Sequence, residues 1–150
     1  MTTPGFFATG KQTLKELMEQ EPKYGARMIA DNKLQRFENR TQDRPYTVDF
    51  TCPEFTCLCP LSGFPDFAKI TISYQPNKWC VELKSLKLYI NSFRDKGVFH
   101  EDVTNQILSD IKDLLDPQYL KVVADFNVRG NIHTLVTAEV GTRLSAIGNA

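Results

Sequence analysis

The alternation of apolar and polar positions changes character near residue 45. Residues 1–44 are polar and charged, with one short amphipathic stretch at Leu14, Leu17 and Met18, and no chemistry is assigned to them. Beyond them, Tyr46-Thr47-Val48-Asp49-Phe50-Thr51 mixes β-branched and aromatic residues, while Ala68, Ile70, Ile72 and Tyr74 alternate with Lys69, Thr71 and Ser73. Both segments read as strands. Residues 52–66 between them read as a proline-punctuated loop, and a connection of that length is expected to carry function. After the turn signal Gln75-Pro76-Asn77-Lys78, Leu83, Leu86, Ile90 and Phe93 fall at helical spacing and stop before Gly97. A second helix is predicted from His100, with Glu101 and Asp102 in its first turn, through Val103, Ile107, Ile111, Leu114 and Leu115 to the stop at Asp116-Pro117. Leu120, Val122, Ala124, Phe126 and Val128 then alternate with mostly polar neighbours, and Arg129-Gly130-Asn131 turns the chain into a last strand over 132–137.

Two strands, two helices and two strands predict an α+β fold: an antiparallel four-stranded sheet, order ββααββ, with both helices on one face. Residues 1–44 form an N-terminal extension in this reading, and 45–150 the folded unit. Such a sheet has two open edges, and pairing them with neighbouring subunits is the economical way to cover them, so a homo-oligomer is expected.

Composition narrows the function classes. A chain of 150 residues with 41% hydrophobic content buries one core. Its 18 Lys and Arg balance 18 Asp and Glu, which leaves no bulk attraction to nucleic acid or an acidic membrane, so neither partner is expected and any basic site is local. No apolar run approaches the roughly 20 residues of a membrane helix, and Met1 to Gly10 lacks the charged start and apolar core of a signal peptide, so a cytoplasmic protein is expected. In a reducing compartment, the crowding of Cys52, Cys57 and Cys59 into one segment means metal binding, catalysis or plain burial rather than a disulfide framework.

Cys59 lies between Leu58 and Pro60, with Asp66 seven positions on among Phe64, Pro65 and Phe67. A thiolate and a carboxylic acid are the minimum pair for adding to an electrophilic carbon while protonating the atom that becomes anionic. An apolar surround is the means by which an aspartate keeps its proton near neutrality. A buried cysteine beside a loop-capping aspartate is the alternative. Zinc held by Cys52, Cys57 and Cys59 with His100 or His133 is a weaker one, because the paired ligand spacing of structural zinc sites is missing.

In Glu82-Leu83-Lys84-Ser85-Leu86-Lys87-Leu88-Tyr89, Lys84 and Lys87 share one helix face and can meet one anion, to which N–H groups of the helix start would add. Glu82 can accept two parallel hydrogen bonds from a guanine-like edge, or simply cap the helix. His100 and Glu101 open the second helix, where both can read a polar base edge. Arg129-Gly130 marks a hairpin tip, and His133 is a strand residue without a role.

Taken together, Cys52-Pro-Glu-Phe-Thr-Cys-Leu-Cys59-Pro, Pro65-Asp66-Phe67-Ala68, the 82–89 stretch, Ser92-Phe93-Arg94 and Phe99-His100-Glu101-Asp102 resemble the signature set of the single-module nitrile reductases of the QueF family. The resemblance spans about Tyr46 to Ala138. It implies the tunnelling fold, assembled into rings with sites at subunit boundaries. It implies NADPH-dependent reduction of the nitrile 7-cyano-7-deazaguanine to the primary amine, in tRNA queuosine biosynthesis. On this resemblance Cys59 forms a covalent thioimide and Asp66 donates the proton. Val81, Glu82, Leu83, His100 and Glu101 hold the deazapurine, and Lys84, Lys87 and Arg129 hold NADPH phosphates. Two NADPH serve as cosubstrate for the four-electron reduction, with no metal. No G-x-G-x-x-G stretch occurs, so the dinucleotide relies on local cations. Another tunnelling-fold pterin or purine enzyme, such as a GTP cyclohydrolase, and a non-catalytic purine-binding module are the alternatives. Cys57, a second thiol two residues from Cys59, has an open role.

Overall fold

The structure is a computed structural model that describes residues 13–19 and 21–145. The leader reading of Met1 to Gly10 lies outside them, as does the side chain of Leu17. Two strands, β2 (Val48–Leu58) and β3 (Pro65–Gln75), pair antiparallel from Val48↔Tyr74 to Leu58↔Pro65. Helix α3 (Leu83–Asn91) runs on into a 3-10 turn, Ser92–Asp95, and is followed by helix α4 (His100–Leu115). Strands β5 (Tyr119–Phe126) and β6 (Leu135–Gly141) complete a sheet of order β2-β3-β5-β6. This is the α+β arrangement expected, with one antiparallel four-stranded sheet. Among the described residues, no helix is long and apolar enough to cross a membrane.

The inward positions of β3 (Asp66, Ala68, Ile70, Ile72, Tyr74) and β5 (Leu120, Val122, Ala124, Phe126) are buried, as period-2 alternation demands. They meet Leu86, Ile90 and Phe93 of the first helical segment and Val103, Ile107, Ile111 and Leu115 of α4 in one core. Helix α4 ends where Asp116 enters the left-handed region at φ 44° and Pro117 follows.

Three expectations change. The predicted loop over 52–66 is mostly strand: β2 runs to Leu58 and β3 starts at Pro65, leaving only 59–64 as the turn. The pairing slips by one residue between Cys52 and Phe55, a bulge at Pro53-Glu54. Pro53 has no N–H to give the ladder, and an edge strand tolerates it. The bulge shifts the alternation, so that Val48, Phe50 and Cys52 face inward before it, and Phe55 and Cys57 after it. Second, the last strand begins at Leu135 rather than 132. Arg129 and Ile132 close a tight turn through reciprocal 2.9 Å backbone bonds, with Gly130 and Asn131 at φ 53° and 69°, the geometry of a primed hairpin turn.

Third, the N-terminal segment has structure of its own. Helices α1 (Leu14–Glu19) and α2 (Tyr24–Ala30) precede strand β1 (Arg36–Glu38), which pairs with β4 (Trp79–Val81). Leu14 and Met18 of α1 are exposed. The segment reaches the start of α3: Glu82 N donates to Gln35 O at 2.8 Å, Gln35 N to Ser85 Oγ at 2.9 Å, and Asn32 Nδ2 to Ser85 O at 3.0 Å.

Candidate active site

The bulge decides where the sulfurs go. Counting on from Phe55 and Cys57, Cys59 falls on the same side of the hairpin as Asp66, which is the register partner of Cys57. Cys57 is fully buried, whereas Cys59 is partly open at the turn. Cys59 N donates to Phe64 O at 2.8 Å and Gly63 N to Cys59 O at 2.9 Å, closing the turn, with Gly63 at φ 72°. This tight turn aims the Ser62 hydroxyl and the backbone N–H groups of Ser62 and Leu61 at the sulfur. Those donors, Ser62 first, pull the Cys59 thiol down from 9.0 to about 7, with Arg129 adding a smaller contribution against partial desolvation. Cys57 goes the other way, to about 11, mainly because it is buried and partly because Asp66 is close.

Asp66 is 3% exposed and is flanked on two sides: the Arg129 guanidinium donates to one carboxylate oxygen, and His100 Nε2 lies 3.2 Å from the other. His100 is fixed in turn by stacking on Phe126, with ring centroids 3.7 Å apart and planes 7° from parallel. Arg129 also favours the Cys59 thiolate electrostatically, and so lies between thiol and carboxylate. The apolar surround expected for Asp66 is not what the fold supplies. Phe67 follows Asp66 in a strand and therefore points to the opposite face, half exposed, while Phe64 projects from the turn at 68% exposure.

The remaining predicted residues gather elsewhere. A cleft of about 670 Å³ runs between the edge strand β2 and α3, with Glu82, Leu83, Lys84 and Lys87 among its lining residues and none of Cys59, Asp66 or His100. Its other wall is the β2 stretch from Phe50 to Thr56. Val81 is buried in the core and is not among the residues lining the cleft, whereas Leu83 is 62% exposed. Glu82 caps α3: one oxygen accepts from Lys84 N at 2.8 Å and the other from Ser85 N at 2.7 Å. These bonds, that from Ser85 first, hold its carboxyl below the usual 4.5. The helix-start N–H groups of Lys84 and Ser85 are therefore occupied by Glu82 and do not add to an anion site, contrary to expectation. Each Glu82 oxygen keeps a second lone pair for a ligand. The Lys84 and Lys87 ammonium groups make no hydrogen bond or ion pair among the described residues. Glu101, in the first turn of α4, is exposed.

The sequence profile of QueF-like proteins matches residues 65–144, more than half of the chain. The chain belongs to the QueF family. The NADPH-dependent 7-cyano-7-deazaguanine reductase of Synechococcus sp. (strain CC9605) is 52% identical to this QueF-family chain over 126 residues, 84% of the chain and 98% of the relative. The reductase of the same name from Anaeromyxobacter sp. (strain Fw109-5) is 56% identical over 114 residues, 76% of this chain and 93% of that one. Among solved structures, the apo archaeosine synthase QueF-Like superposes with a TM-score of 0.61 at 23% identity, over 67% of this chain and 98% of its own, a likeness of fold alone.

Sequence reasoning missed Ser62 and Phe126, and it did not foresee that Arg129, expected at the NADPH phosphates, pairs with Asp66. Ser62 precedes a turn glycine, a position from which a hydroxyl can reach back to the turn's start. Phe126 belongs to the inward set of β5, which is why it reads as core and not as a platform for His100.

Proposed function

We propose that this protein is an NADPH-dependent 7-cyano-7-deazaguanine reductase that forms a thioimide on Cys59 and serves queuosine biosynthesis. The observation that carries the mechanism is the placement of Cys59, partly open at a turn whose donors hold its thiol at about 7, beside the Asp66–His100–Arg129 network. A thiol at that value is about half ionised at neutral pH, and the thiolate is the nucleophile. As sulfur bonds to the nitrile carbon, one carbon–nitrogen π pair moves to nitrogen, which becomes basic and takes a proton. Asp66, positioned by His100 and Arg129, takes up the proton that the Cys59 thiol gives up and passes it to that nitrogen. Reduction then needs two hydrides, which NADPH supplies when bound. After the first hydride reaches the thioimide carbon, the carbon–sulfur bond breaks, Cys59 leaves as thiolate, and the imine formed takes the second hydride and a proton.

The imine would hydrolyse in water, so the site has to be covered between the two transfers. Exposed Leu61, Phe64 and Phe99 flank the Cys59 turn and the start of α4, an apolar rim suited to a second subunit. Glu82 and Leu83, with the Val81 backbone, hold the deazaguanine edge, and His100 and Glu101 close on it. Because the Glu82 cleft and the Cys59 network are separate within one chain, a complete site combines them from neighbouring subunits of a ring. The cleft suits the dinucleotide: it is large, apolar-floored and rimmed by two lysines that form no ion pair among the described residues.

The test is direct. Incubated with the nitrile and no NADPH, the protein is expected to gain the mass of one ligand on the peptide containing Cys59. Cys59→Ala should show neither that adduct nor nitrile-dependent NADPH oxidation; turnover at the wild-type rate without the sulfur ends the proposal.

A further inference from the structure

Ser92-Phe93-Arg94 is a motif to which no role attaches, and its members divide. Ser92 Oγ donates to Tyr89 O at 2.6 Å and Phe93 is buried in the core, so both are structural. Arg94 is exposed, makes no hydrogen bond or ion pair among the described residues, and lines the same cleft as Lys84 and Lys87. The three cations sit at positions i, i+3 and i+10 of one continuous helical segment, α3 and its 3-10 extension, and so form a stripe along one wall of the cleft. At about 1.5 Å per residue the stripe is roughly 15 Å long. A single phosphate does not need cations spread over that length. An extended anion with phosphates at separate stations does.

We infer that Arg94 binds the 2′-phosphate of NADPH and sets the preference for NADPH over NADH. This rests on the reading of the cleft as the cofactor site, with the deazaguanine at Glu82. The nicotinamide then lies at the Glu82 end, where the hydride is delivered. Running away from that end, the stripe presents Lys84 and Lys87 to the pyrophosphate and Arg94 to the most distant phosphate. The adenosine ribose separates those two groups, so they require separate cations. A phosphate monoester close to doubly charged suits the planar guanidinium fork, which offers paired donors where an ammonium offers one point charge. Among the described residues no carboxylate pairs with Arg94, so none there has to be displaced.

Calorimetry on the full-length protein with two fragments, 2′,5′-ADP and 5′-AMP, isolates the extra phosphate from chemistry. Arg94→Gln is expected to weaken 2′,5′-ADP by roughly tenfold to a hundredfold, the worth of a charge-assisted contact, and to leave 5′-AMP unchanged. In turnover, KM for NADPH should rise with kcat retained, and Arg94→Lys should recover part of the loss. Lys87→Gln is expected to weaken both fragments alike. Arg94→Gln weakening both fragments equally, or neither while Lys87→Gln weakens both, overturns the assignment of Arg94 alone. If Lys87→Gln also leaves both untouched, the cleft is not the cofactor site, and the assignment falls with that reading.

Discussion

Two thiols two residues apart are pushed in opposite directions by their surroundings, Cys57 up by burial and Cys59 down by the donors of its turn. Cys57 ends the strand's inward row, fully buried opposite its cross-strand partner Asp66. Cys59 begins a turn whose Ser62 hydroxyl and N–H groups stabilise its anion. Alkylation by iodoacetamide, followed by peptide mapping, should therefore modify Cys59 at a rate that rises with pH to half its plateau near pH 7. Cys57 should remain unmodified in the native protein at that pH. In Ser62→Ala the Cys59 midpoint should move upward, toward the ordinary 9.0. An unmoved midpoint would mean that the hydroxyl is not what holds the thiolate. The spacing of Cys59 and Asp66 is legible from sequence, but this difference is not, because it depends on β2 ending at Leu58, which leaves Cys57 in the strand and puts Cys59 in the turn.

At the scale of elements, long periodic segments were readable and short ones were not. Helix α4 has its predicted bounds because five apolar positions at helical spacing are followed by a left-handed Asp116 and a proline. The three-residue strands β1 and β4 offer too little periodicity to be recognised, yet together they fix the start of α3 through Gln35 and Glu82. The 52–66 segment misleads for another reason: its prolines read as loop punctuation, while an edge strand with one bulge accommodates Pro53. Glu82 joins element and site, since the carboxylate assigned to the base edge is also the cap of α3. Its depressed pKa means that ionised Glu82 stabilises the native state at pH above 4.5, and that this contribution is lost as pH falls through the still lower folded value. Glu82→Gln should accordingly lower Tm at neutral pH, with the gap to wild type closing on acidification below 4.5. Scanning calorimetry across that range checks the sign; a gap that widens in acid would contradict the capping role.

For the whole molecule, the proposed reaction needs two groups of residues that one chain holds apart. The thiol network lies at the turn between β2 and β3, whereas the Glu82 cleft opens along the β2 edge, and no lining residue of the cleft belongs to the network. Strands β2 and β6 are both edges of the sheet, and apolar Leu61 and Phe64 are exposed beside the thiol, so the surfaces that would carry a neighbour are the ones that flank the two half-sites. This geometry predicts complementation between two dead proteins. Cys59→Ala lacks the nucleophile and Glu82→Ala lacks the base anchor, so each homo-oligomer should be inactive. Co-expressed with different tags and purified as mixed assemblies, they should regain activity. A shared site is whole only where an intact thiol from one variant meets an intact carboxylate from the other, which for random equal mixing occurs at about a quarter of sites. Nitrile-dependent NADPH oxidation near that fraction of wild type, absent when the two proteins are merely mixed without subunit exchange, is the expected result. If a single chain supplied both residues, every subunit in the mixture would carry a broken site, and the mixed assemblies would stay as inactive as their parents.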